Sequence, residues 1–155
     1  MITRDGKVRV SAKGIVISGG RLLLTRARDR AGTYYLLPGG GQRNGETLHQ
    51  AVVRECLEET GALVKPGEPR YVRDYVAANH EFSARTAGFH QVEIMFLCAL
   101  VKRAGRADAP DRGQTGAAWV PLKKLGKIRL YPSVLKILLA PAGNPRGPVY
   151  LGDIN

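Results

Sequence analysis

A chain of 155 residues with 44% apolar and 24% charged side chains is long enough to bury one substantial core, so residues 1–155 read as a single globular domain. The longest apolar run, Ile94 to Val101, is too short to cross a bilayer and no signal-like stretch follows Met1, so a cytoplasmic address and no membrane partner are expected. The net charge of +11 favours polyanionic partners such as nucleic acid or phosphates without naming one.

In chain order, residues 7–17 alternate Val8, Val10 and Ala12 with polar positions and then turn apolar, as a strand entering a core does. Gly19-Gly20 reads as a hairpin turn leading to a second strand from Arg21 to Arg26. Arg28 to Thr33 reads as a loop. A short strand from Tyr34 to Leu37 ends at Pro38 and three glycines, where no regular element is expected to continue.

The spacing predicts a helix over Thr47 to Glu59, with Thr47 and Gln50 as a capping box and Gly61 as a left-handed C-cap. Two further strands are expected at 69–79 and 89–102, joined by a loop from Phe82 to Gly88, and a last short one at Trp119-Val120. Ser133 to Ala140 reads as a terminal helix. Residues 141–155, rich in Pro and Gly, read as a poorly ordered tail. Cys56 and Cys98 lack metal-ligand spacing and sit among apolar neighbours, which reads as buried free thiols.

The informative segment is acidic. Residues 46–59 hold Glu46, Glu55, Glu58 and Glu59 against the single base Arg54, a net −3 that leaves +14 on the rest of the chain. At about 100° per residue, Glu55, Glu58 and Glu59 fall within one arc of the helix, and Val53, Cys56 and Leu57 within another that should face the core. Like charges at this spacing cost about 0.2–0.5 kcal/mol per pair, and the C-terminal half of a helix disfavours them further. A compensating cation is therefore expected. Arg54 neutralises one carboxylate, and an all-oxygen site suits Mg²⁺, or Mn²⁺. An acidic helix face alone is most often simply solvated, and a glycine turn is often only a turn. The two joined, with Pro38-Gly39-Gly40-Gly41 offering close backbone approach and a carbonyl oxygen just before the helix, fit neither of those plainer readings.

Gly40, five residues, Glu46, seven residues, then Arg54-Glu55-Cys56-Leu57-Glu58-Glu59-Thr60-Gly61-Ala62 resembles a complete Nudix box, GX5EX7REUXEEXGU. Seven specified and two hydrophobic positions match over 23 residues. The resemblance implies an α+β fold, a Nudix-type α/β/α sandwich with a mixed β-sheet and a loop-helix-loop catalytic motif. It implies Mg²⁺ held by Glu55, Glu58 and Glu59, with the Gly39 carbonyl as a further candidate ligand. Glu55, Arg54 and Glu58 become the catalytic candidates, and Gly40, Gly41 and Glu46 support or bind substrate. The implied reaction is attack of water on phosphorus in a diphosphate linkage of a nucleotide-like small molecule, such as a nucleoside triphosphate or nucleotide sugar. In some relatives the general base lies on a later loop instead. Where some place an extra acidic ligand, Arg112 stands here, leaving Asp111 and Glu93 as substitute candidates.

Two other functions compete: removal of pyrophosphate from RNA 5′ ends, suggested by the charge, and a non-catalytic nucleotide- or nucleic-acid-binding module, against which the intact carboxylates argue. The subfamily markers of some relatives are missing, since Ala77, Ala78 and Asn79 stand where a proline or tyrosine would be. A homodimer is compatible with the sequence. His49, His80 and His90 read as surface or strand-end histidines, Tyr34, Tyr35, Phe82, Phe89 and Trp119 as packing residues, and Lys123, Lys124, Lys127 and Arg129 as a solvated basic run.

Overall fold

The computed structural model describes residues 6–80, 88–103, 114–140 and 147–155. Strands β1 (Arg9–Ser18) and β2 (Arg21–Asp29) form the hairpin expected at Gly19-Gly20, and β3 (Gly32–Leu36) follows after a two-residue turn. The segment 28–33 is therefore mostly strand, with the Asp29 carboxylate accepting from the Ala31 N–H to close the turn. The glycine run forms a short strand, β4 (Gly39–Gly41), paired antiparallel with Ser11, Ala12 and Lys13 of β1. A regular element is thus present where Pro38 and three glycines lead one to expect none. Lacking side chains, the three glycines can lie against β1, which their composition alone does not reveal.

Helix α1 (Leu48–Thr60) has the predicted ends. Thr47 Oγ1 accepts from the Gln50 N–H at 3.1 Å, Gln50 returns the bond to the Thr47 N–H at 2.8 Å, and Gly61 closes the helix at φ 70°. Strand β5 (Ala62–Val76) begins at once, seven residues earlier than expected, because it passes Pro66 and Pro69 through register shifts against β6 (His90–Arg103). Strand β7 (Gln114–Pro121) pairs with β2, and a 3-10 turn (Leu122–Lys127) leads to β8 (Leu130–Tyr131). The expected terminal helix is reduced to one turn, α2 (Leu135–Leu138), whose Leu135 is fully buried.

Parallel pairing of β1 with β6 and of β3 with β8, among antiparallel neighbours, makes the sheet mixed. Alternation along β1 divides the core. Ala12 and Val16 meet Val52 and Cys56 of α1, while Ile15 joins Leu37, Met95, Leu130 and Leu135 in a second cluster. Cys56 and Cys98 are buried free thiols, as expected. Among the described residues no helix is long and apolar enough to span a membrane.

The predicted disordered tail is corrected in its last part. Strand β9 (Tyr150–Asp153) pairs parallel with β5, and the Val72 N–H donates to Val149 O at 2.8 Å. Leu151 packs on the second core cluster, and polar side-chain contacts hold the rest of the strand. Asp153 accepts from the Val76 N–H at 3.0 Å, from Asn79 at 2.7 Å, and lies 2.6 Å from His80 Nε2. Residues 141–146 of that tail lie outside the described residues.

These bonds, led by that from Val76, hold the Asp153 carboxyl down at about 2 against an ordinary 3.8. A depressed folded-state pKa contributes stability that is complete above the ordinary value and disappears as pH falls through the folded one. The wild type should therefore lose melting temperature more steeply than Asp153→Asn between about pH 4 and pH 2. Parallel curves in that window would refute this contribution of Asp153 to stability.

Candidate active site

Glycine β4 places the site. Gly39 has φ 144°, and a Cβ there would lie 2.2 Å from Ala12 O, so only glycine fits. At Gly40 a Cβ would lie 2.7 Å from the Glu55 carboxylate carbon, so this side chain of α1 rests directly on the backbone of the turn.

Arg54 ties turn and helix together. Its Nε and Nη2 form a fork on Glu46 at 2.6 and 3.0 Å, Nη2 also donates to Gly41 O at 3.2 Å, and Nη1 donates to Glu55 at 2.6 Å and Glu58 at 3.3 Å. The fork, with the Arg43 N–H, holds Glu46 down at about 2, and Glu46 in turn pushes the Arg54 pKa up. Glu46 thus braces the loop and leaves the helix carboxylates to Arg54.

The three helix acids do not share one environment. Glu58 stays partly open, 3.9 Å from Arg43, and Glu55 is largely covered against Gly40. Glu59, expected on the charged face, is only 2% exposed and lies on the core face with Val52 and Cys56, seven and three residues before it. The core face is accordingly rotated from the predicted arc of Val53, Cys56 and Leu57, of which only Cys56 is buried. Glu59 accepts from the Gly39 N–H at 3.1 Å and from Gln114 at 3.2 Å, and burial raises its carboxyl to about 7 against the opposing Lys13 charge and these bonds.

Among the described residues no three acid, histidine or cysteine side chains converge closely enough to hold an ion in this arrangement. Hard-oxygen donors are nonetheless gathered around one corner: the Glu55 carboxylate on Gly40, the Glu59 carboxylate on the Gly39 amide, and Glu58 one turn after Arg54. A buried carboxylate with few cationic partners and a backbone that tolerates no Cβ suit a divalent cation. The donor set fits.

Glu93 is tied up elsewhere, its two oxygens accepting from Arg73 at 2.6 Å and Gln91 at 2.8 Å. Asp111 and Arg112 lie outside the described residues. His49 contacts Gly67 O and the Phe96 ring, Trp119 packs on the helix core beneath Arg103, and Lys123, Lys124 and Lys127 are solvated while Arg129 pairs with Asp29.

Sequence reasoning missed Lys13, whose Nζ donates to Gly39 O at 3.0 Å, and Gln114 on Glu59. A lysine inside the apolar half of a predicted strand was the available signal for the first. The second had none, since 55 residues separate the partners.

This loop-helix-loop on a mixed sheet has counterparts. The family model of the NUDIX domain matches residues 7–140. Similar solved structures include a MutT NUDIX hydrolase from Burkholderia pseudomallei, 29% identical with a TM-score of 0.59 over 76% of this chain and 85% of that one. A NUDIX hydrolase from Nitrosomonas europaea is 24% identical with a TM-score of 0.62 over 77% and 76%. An ADP-ribose pyrophosphatase from Streptococcus suis matches at 18% identity and a TM-score of 0.61 over 95% and 98%, a likeness of fold. The chain belongs to the NUDIX family, and its domain is a Nudix hydrolase domain.

Proposed function

We propose that the protein hydrolyses a diphosphate linkage in a nucleoside-diphosphate-linked small molecule, with Mg²⁺, or Mn²⁺, held by Glu55, Glu58, Glu59 and the Gly39 carbonyl. The observation that carries this reading is the seating of the Glu55 carboxylate on the Gly40 backbone under the hold of Arg54. When bound, the cation supplies neutralisation of phosphate charge and polarisation at phosphorus.

The chain's own residues do the remainder. Glu55 accepts the proton of the attacking water, the new P–O bond forms, and the bridging oxygen departs with the leaving phosphate. Arg54 is a positioning residue, fixing the Glu55 and Glu58 carboxylates relative to the turn. Gly40 and Gly41 let the Glu55 carboxylate and the Arg9 guanidinium close onto the backbone of the turn, where Arg9 adds positive charge for the substrate's phosphates.

The names of two structural neighbours, an ADP-ribose pyrophosphatase and a UDP-X diphosphatase, support including nucleotide sugars and ADP-ribose among the substrates tested. The test is a hydrolysis screen over nucleoside triphosphates, ADP-ribose, UDP-sugars, dinucleoside polyphosphates and triphosphorylated RNA, with and without chelator. Cation-dependent release of a nucleotide from a small molecule is expected. Preferential turnover of RNA, weakening steeply with salt, would favour the 5′-pyrophosphohydrolase reading that the basic remainder of the chain motivates. Tight nucleotide binding with no turnover anywhere would leave a binding module.

A further inference from the structure

Lys13 stands in the middle of β1, paired in register with Gly39 on one side and Met95 on the other. Even-numbered neighbours Ala12 and Val16 face α1, so Lys13 lies on the opposite side of the sheet with Ile15. Its stem crosses Gly39 so closely that a Cβ there would meet Lys13 Cδ at 2.8 Å, and its Nζ reaches the Gly39 carbonyl at 3.0 Å. The side chain is partly buried, and the Gly39 carbonyl is where its ammonium bonds.

That destination coincides with an oxygen of the cation site proposed above, and the inference rests on that proposal. We propose that Lys13 is a built-in competitor of the divalent cation: its ammonium takes the Gly39 carbonyl in the ion-free enzyme and weakens metal binding at the corner.

Three features support this. Among the described residues no carboxylate forms an ion pair with Lys13, and its ammonium donates to the Gly39 carbonyl. The carboxylates it influences from a distance are Glu59 and Glu93, and Glu93 is already occupied by Arg73 and Gln91. On the side away from the corner Lys13 lines a recess of about 10 Å³ with Arg73 and Glu93, so its neighbour there is a carboxylate already paired. A lysine that screens the corner in this way keeps the Glu59 and Gly39 dipoles compensated between catalytic cycles. It also raises the cation concentration at which the site fills.

The test is titration of the full chain with Mn²⁺, following the electron paramagnetic resonance signal of free ion, without substrate. Lys13→Met should bind Mn²⁺ at least about tenfold more tightly than wild type, since a unit charge within a few ångströms of a divalent ion is removed. Lys13→Gln retains a donor for Gly39 without the charge and should also bind more tightly, whereas Lys13→Arg should stay near wild type. Should the methionine variant fail to fold by circular dichroism, the glutamine variant decides the matter. Equal affinity in wild type and the uncharged variants, or weaker binding in the variants, overturns the role of Lys13 alone. Absence of Mn²⁺ binding in wild type and in every variant overturns the metal site itself.

Discussion

Glu55→Gln should lower turnover by about 10²–10⁴-fold, the range general-base removal commonly produces, while leaving the thermal melt close to wild type. The substitution is nearly isosteric. The glutamine carbonyl can still accept from Arg54 Nη1, where the carboxylate now accepts at 2.6 Å, and its amide occupies the same place over Gly40. What is lost is the capacity to take up a proton and one negative charge toward the cation. Steady-state rates on the best substrate of the screen, together with the pH profile, distinguish these losses. A general base leaves its imprint on the acid limb of the profile, whereas a purely supporting carboxylate lowers the rate without moving that limb. A rate within a few-fold of wild type would remove Glu55 from the role and return attention to a base on a later loop.

The second large effect concerns stability. Arg73 and Glu93 are 4% and 5% exposed and meet at 2.6 Å, and Gln91 donates to the other Glu93 oxygen. Burial pushes the Glu93 carboxyl up, but Arg73, Lys13 and Gln91 together more than offset it, so the group is held below the usual range and stays charged. Arg73 also donates to the Ile154 carbonyl and to Asn155 at 3.3 Å, anchoring the chain beyond β9. Arg73→Met should therefore destabilise the fold by about 3–5 kcal/mol in urea melts, because it leaves a buried carboxylate without its counter-charge. The double variant Arg73→Met, Glu93→Leu should recover much of that loss, since the uncompensated charge is gone. A single variant within about 1 kcal/mol of wild type would mean that water or Lys13 reaches Glu93 and that the pair is not structural.

The two effects separate chemistry from scaffold on opposite faces of β1. α1 lies on one side, where Val52 and Cys56 pack, and the Glu93–Arg73 pair belongs to the strands that carry Met95 and Tyr71 into the other core cluster. Lys13, which reaches the Gly39 carbonyl, also lines the recess beside Arg73 and Glu93.

Local signals alone determined the helix and its caps. Thr47, Gln50 and Gly61 act through bonds that span three or four residues, so their effect is legible from spacing. The same holds for the Gly19-Gly20 hairpin, for the buried thiols, and for the arrangement of Gly40, Glu46, Arg54, Glu55, Glu58 and Glu59, whose spacing identified the family. Tertiary structure decided everything that depends on partners distant in sequence. It turned the glycine run into a strand against β1, carried β5 through its prolines, and fixed β9 by side-chain bonds from Val76, Asn79 and His80 to Asp153. It also rotated α1 so that Glu59 entered the core beside Gly39, and brought Lys13 to the same glycine across 26 residues. Periodicity locates a helix face only to within about one residue's turn of 100°, and which carboxylate is buried depends on the sheet beneath it.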